Sequence, residues 1–175
     1  MGAVVPSGRF LTQSMARATL AAMQGHQGHV VELGAGTGVV TQALLAAGIG
    51  AERLALVERD GELASFLRKR FPGPKVLEGD AARLSDMLRA AKISSVAAVV
   101  SSLPLLSLPS EVVNGIVRGV FAAMPKGAAL IQFTYGPKPP VPRELREDLH
   151  LVATRGSRIW RNVPPAVVWT FRQPA

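Results

Sequence analysis

Residues 29–38 read His-Val-Val-Glu-Leu-Gly-Ala-Gly-Thr-Gly. Val30, Val31 and Leu33 form a short apolar run of the kind buried in a parallel strand. Gly34, Gly36 and Gly38 then permit a tight turn and a close approach of a ligand to the main chain. Val40, Leu44 and Leu45 come next at helical spacing, and Thr37 is placed to cap that helix. Strand, glycine turn and helix N-terminus build a nucleotide-type crevice at the carboxyl end of a strand.

The spacing narrows the ligand. A dinucleotide site uses G-x-G-x-x-G and sets a pyrophosphate on the helix N-terminus. Here the pattern is G-x-G-x-G, and Glu32 stands two residues before the first glycine. A carboxylate there opposes a phosphate and suits an ammonium. Three more apolar runs end in polar or turn residues. Leu54–Val57 ends in Glu58 and Arg59, Lys75–Gly79 in Asp80 and Ala81, and Val96–Val100 in Ser101-Ser-Leu-Pro-Leu105. An acidic strand end can accept both hydroxyls of a ribose, and an Asp can accept the exocyclic amino group of adenine. One such carboxylate is more often a helix cap; the series together points to a cofactor.

The run Glu-Leu-Gly-Ala-Gly-Thr-Gly resembles the first motif of the class I S-adenosylmethionine (SAM)-dependent methyltransferases. The resemblance implies SAM as cofactor and S-adenosylhomocysteine (SAH) as product. It puts Glu32 at the amino end, Glu58 at the ribose and Asp80 at the adenine. Gly34, Ala35, Gly36, Thr37, Gly38, Arg59, Ala81 and Ser101 complete the expected lining.

The chain alternates accordingly. A helix over 8–24, with Ser7 as its N-cap, precedes strand and helix pairs at 29–33 and 37–47, 53–58 and 61–71, 75–78 and 83–91, and 96–100 and 110–124. Pro125-Lys-Gly127 stops the last helix, and 128–135 is a fifth strand. Residues 136–142 are a stiff proline loop and 143–148 a short helix. Two β-rich stretches, 149–156 and 166–172, close the sheet. The expectation is one α/β domain over 1–175, with residues 1–25 as a helical cover. Its form is a Rossmann-like class I methyltransferase: a seven-stranded, mostly parallel sheet, helices on both faces and a C-terminal antiparallel hairpin.

Composition bounds the partners. The net charge is +8, which points to an anionic partner, either nucleic acid or an anionic membrane surface. There are no cysteines, and His26, His29 and His150 lack ligand spacing, so no metal is expected. No uninterrupted apolar stretch is long enough to span a bilayer, and the start lacks a signal-peptide pattern.

The segment after the fourth strand should select the acceptor. Amino-methyltransferases of DNA and RNA place Asn or Asp, then Pro, then an aromatic ring there. This chain keeps Pro104 but has Ser102-Leu103 before it and Leu105 after it, which removes the stacking ring. Aromatic residues make up only 5% of the chain, poor material for base stacking.

Gly2–Phe10, the glycine motif, Ser102–Pro109, Gln132–Pro137 and Arg161–Trp169 together resemble the bacterial phospholipid N-methyltransferases of the Rhodobacter type. That resemblance implies methylation of phosphatidylethanolamine, through its mono- and dimethyl derivatives, toward phosphatidylcholine. It implies peripheral attachment to the cytoplasmic face of the inner membrane, with nucleic acid an unlikely partner. Tyr135, Ser101, Ser102 and the backbone of Leu103 become catalytic candidates. Pro104, Leu105, Tyr135, Arg161 and Asn162 become substrate-binding candidates. Arg143, Arg146, Arg155, Arg158, Arg161 and Arg172 cluster in the last third, where about half would face headgroups and the rest a solvated surface. Members of that family carry an amphipathic segment ahead of the Ala-Val-Val-Pro-Ser motif. This chain begins almost flush with the motif, so the expectation is a shortened chain that attaches to membranes more weakly than the intact enzyme. The alternatives are an rRNA adenine N6-methyltransferase and a non-catalytic SAM-binding or lipid-surface protein.

Overall fold

The computed structural model describes residues 8–175. Ser7 and the Ala-Val-Val-Pro-Ser motif lie outside the described residues. Helix α1 (Gly8–Ala22) leads into β1 (His29–Leu33) and α2 (Val39–Ala46). Next come β2 (Leu54–Glu58), α3 (Gly61–Arg70), β3 (Lys75–Glu78) and α4 (Leu84–Ala90). β4 (Val96–Ser101), α5 (Ser110–Ala123), β5 (Ala129–Thr134) and α6 (Arg143–Asp148) precede the closing strands β6 (Val152–Ile159) and β7 (Ala166–Arg172).

The seven strands form one sheet in the order β3-β2-β1-β4-β5-β7-β6. β1 through β5 run parallel, and β7 enters antiparallel between β5 and β6. The seven-stranded sheet with its antiparallel closing hairpin is as the sequence predicts.

Strand alternation divides the core in two. Val31, Leu33, Val57, Val99 and Leu130 point to the face covered by α4, α5 and α6. Val30, Leu54, Leu56, Val100 and Ile131 point to the face covered by α1, α2 and α3. A strand buried on both faces is apolar at most positions, which explains the apolar runs; Glu32 in β1 and Gln132 in β5 are buried exceptions. α1 packs on α2 and crosses β4, β5 and β7, so it is a covering helix joined to the core through Leu11, Met15 and Ala16.

Some boundaries move. The first closing strand begins at Val152, not at 149, because residues 149–151 turn out of α6 and His150 takes a positive φ of 54°. α2 begins at Val39, two residues late, because Gly38 in the left-handed region (φ 88°) holds the N-cap position. Thr37 therefore does not cap α2; its carbonyl accepts a hydrogen bond from Arg70 Nη1 at 2.9 Å. A true side-chain cap occurs at Asp60, which accepts from the Glu62 and Leu63 amides at the start of α3.

Among the described residues no helix is long and apolar enough to cross a membrane, and no group of side chains could hold a metal ion.

Candidate active site

The glycine turn is tied to the end of β2. Gly34 donates to the Val57 carbonyl at 2.9 Å, and Gly36 donates to Glu58 Oε2 at 2.8 Å. Gly34 has φ 69°, and a Cβ added there would lie 2.7 Å from Leu103 Cδ2. The turn is thus pressed directly against the proline loop. At Gly36 an added Cβ would meet only the Gly34 carbonyl, at 3.9 Å, so the space above the turn stays open to a ligand. Ala35 is buried beneath it.

The three carboxylates have different environments. Glu58 is nearly buried and accepts twice from backbone, from Gly36 and from the Asp60 amide at 2.9 Å. Each oxygen keeps a second lone pair for a hydroxyl donor. Asp80 is exposed and accepts from the Ala82 amide at 2.9 Å, so it caps a short 3₁₀ turn that opens with the buried Ala81. Arg59 is exposed beside Glu58.

Glu32 is fully buried. The Thr41 hydroxyl donates to its Oε2 at 2.6 Å, and Oε1 has no partner among the described residues. Burial pushes its carboxyl up to about 8, opposed by the Thr41 hydrogen bonds and helped by the negative charge of Glu58. Glu32 therefore packs under the turn against α2, and its influence on a ligand passes through the turn.

A cavity of about 310 Å³ opens beside the glycine turn. It is bounded by α1, by Val39 and Val40 at the start of α2, and by Ser102, Phe133, Tyr135 and Asn162. Residues 102, 135 and 162 come from three separate segments and meet at this wall. Ser102 Oγ and Asn162 Oδ1 are buried without a hydrogen-bond partner among the described residues, while Asn162 Nδ2 donates to the Pro164 carbonyl at 2.9 Å. Tyr135 is 49% exposed and meets Phe133 edge-on, with ring centroids 5.3 Å apart. On its other side lies a second cavity of about 280 Å³, walled by Leu103, Pro104 and Leu105.

Two expected site residues are placed differently. Ser101 is buried and its Oγ accepts from the Leu103 amide at 3.2 Å, so it shapes the proline loop from below. Arg161 is exposed and its guanidinium lies 5.5 Å over the Phe10 ring, fastening the β6–β7 connection to α1. The six arginines do not form one patch. Arg143 pairs with Glu147, Arg146 donates to the Val141 carbonyl, and Arg172 lies at the far end of the hairpin from its tip.

Gln132 has no role that the sequence alone suggests. It is buried in the second half of β5, and its Nε2 donates to the Leu103 carbonyl at 2.8 Å while Oε1 has no partner among the described residues. The available signal was an amide between Ile131 and Phe133 in the middle of an apolar run. The three histidines sit elsewhere: His29 opens β1, His26 lies beside Gly127 ahead of β5, and His150 precedes β6.

No protein-family model matches the chain. An ornithine lipid N-methyltransferase of Singulisphaera acidiphila is 35% identical over 111 residues, which is 62% of this chain and 58% of that protein. A probable ribosomal RNA small subunit methyltransferase A of Halobacterium salinarum is 35% identical over 105 residues, which is 60% of this chain and 33% of that protein. The chain thus spans between a third and three fifths of these relatives' lengths. Magnesium protoporphyrin IX methyltransferase of Synechocystis PCC 6803, solved with bound SAM, superposes with a TM-score of 0.70 at 12% identity, covering 99% of this chain and 86% of that one. With the strand order and the glycine crevice, these likenesses give the chain the fold of the class I SAM-dependent methyltransferases.

Proposed function

We propose that the protein transfers methyl groups from SAM to the amine of a membrane lipid, converting phosphatidylethanolamine and its mono- and dimethyl derivatives toward phosphatidylcholine. The observation that carries this reading is the wall where Ser102, Tyr135 and Asn162 meet beside the glycine turn. Its polar atoms without a partner among the described residues are oxygens, Ser102 Oγ and Asn162 Oδ1. An amine is a hydrogen-bond donor and needs acceptors of that kind. Tyr135 adds an aromatic face that attracts a methylated cation.

The turn fits the cofactor. Its open side at Gly36 admits a ligand against backbone, Glu58 offers lone pairs to ribose hydroxyls, and Asp80 has an oxygen left for an adenine amino group. SAM supplies a methyl bonded to a sulfonium, which the amine nitrogen takes with its lone pair as the thioether leaves. The chain's share is positioning and exclusion of water. α1 covers the cavity, Ser102 and Asn162 orient the amine, and Gln132 fixes the loop that carries Ser102. No histidine lies at this end of the sheet, so the amine loses its proton to another base or to solvent.

Similarity to an ornithine lipid N-methyltransferase supports an aminolipid acceptor. The archaeal rRNA relative and the +8 charge favour rRNA adenine N6-methylation as the second reading. Against it, Leu105 follows Pro104 where a stacking ring would hold a flipped adenine; the Leu103 carbonyl, its two lone pairs taken by the Gln132 and Leu105 amides, serves neither acceptor. The test is transfer of labelled methyl from SAM to phosphatidylethanolamine in vesicles and in detergent micelles. Label in mono-, di- or trimethylated lipid is expected. Label only in unmodified ribosomal RNA would replace the reading, and SAM binding without transfer to either acceptor would leave a non-catalytic binder.

A further inference from the structure

The three most exposed large hydrophobic side chains among the described residues are Val163, Trp160 and Leu106, at 76%, 69% and 61%. All three lie at one end of the sheet. Thr134 pairs with Val167 and Ile159 with Ala166, so residues 160–165 project beyond the carboxyl end of β5. Val163 joins Tyr135 in lining the cavity beside the glycine turn, and Leu106 joins Tyr135 in lining the adjoining one. Such exposure is costly in water unless a partner covers it.

Charge narrows the partner. Between residues 152 and 165 there are three arginines and no acidic residue. The Arg158 guanidinium lies 4.5 Å over the Trp160 ring, and Arg161 stands at the neck of the connection over Phe10. Indole beside guanidinium suits the boundary between acyl chains and headgroups, the ring meeting carbon and the cation meeting phosphate. Val163 and Leu106 offer no face on which a nucleobase could stack, and one face of Trp160 is taken by Arg158.

We infer that the tip of the β6–β7 hairpin, led by Trp160 and Val163, enters an anionic bilayer at headgroup depth and seats the cavity mouth against the membrane. This rests on the aminolipid reading of the cavity but is measured apart from it. The probe is a vesicle of phosphatidylglycerol and phosphatidylcholine, which holds no amine acceptor, so attachment is read without turnover.

The chain has two tryptophans, and Trp169 is buried. Emission from Trp160 is obtained by comparing the full chain with Trp160→Ser. The full chain should shift to the blue on vesicles and be quenched by brominated acyl chains, and Trp160→Ser should do neither. Its partition onto vesicles should fall about tenfold, the effect of withdrawing one aromatic side chain from an apolar phase. Val152→Ser, also exposed but at the other end of the hairpin, should partition as the full chain does. Unchanged partition of Trp160→Ser overturns the inference, as does Trp160 emission that answers a short single-stranded RNA and ignores vesicles. Phosphatidylethanolamine methylated in micelles by a protein whose Trp160 ignores vesicles removes the hairpin and keeps the acceptor. Trp160 buried in vesicles without methyl transfer does the reverse.

Discussion

Glu32 is the residue whose environment has the sharpest consequence. Its carboxyl is held up near 8, far above the ordinary value of 4.5. A folded state that binds a proton more tightly than the unfolded chain loses stability as pH rises between the two values. Stability should therefore decline from about pH 4.5 to about pH 8 and then level. Glu32→Gln keeps an amide near Thr41 and has nothing to ionise. Denaturant midpoints measured across that range should fall for the full chain and stay flatter for the variant, and parallel curves would remove Glu32 as the source. Glu58→Ala should weaken SAH binding by about 2 kcal/mol or more, the scale of hydrogen bonds to a charged group. Calorimetry showing unchanged affinity would remove Glu58 from the site. Tyr135→Phe should lower lipid turnover with little change in SAH affinity; equal loss in both would make it a cofactor residue. At this scale the sequence showed the donors and acceptors but not their partners. Glu58 was legible as a strand-end carboxylate, whereas Gln132 and the burial of Glu32 depend on which strand lies beside which.

Elements were legible where local chemistry decides them. Apolar runs became strands, and Pro125-Lys-Gly127 followed the end of α5. The misses came from the backbone. Gly38 took the N-cap position that Thr37 was expected to hold, because a left-handed φ is open to glycine and strained for threonine. The β6 boundary slipped because Leu149 and Leu151 look like strand residues but finish the turn after α6. The glycine turn and the proline loop touch through Gly34 and Leu103, which no sequence pattern reveals. Gly34→Ala should destabilise the protein by about 1–3 kcal/mol through backbone strain and that contact. Adding Leu103→Ala should recover only the contact's share. Full recovery in thermal melts would mean that φ at Gly34 costs nothing.

For the whole molecule, an excess of eight positive charges acts over the surface, while the candidate cofactor crevice is lined by carboxylates and backbone. Attachment to phosphatidylglycerol vesicles should therefore weaken several-fold as salt shortens the screening length from about 10 Å at 0.1 M to about 3 Å at 1 M. SAH affinity should change far less over the same range. Attachment that ignores salt would assign it to apolar contact alone. Tyr135 is the single tyrosine of the chain, and it stands half exposed between the two cavities. Mild nitration would therefore place the protein's one nitrotyrosine at that wall. Its absorbance would track the arrival of an amine headgroup in real time, without any isotope, in a protein that also has no thiol to compete for the reagent.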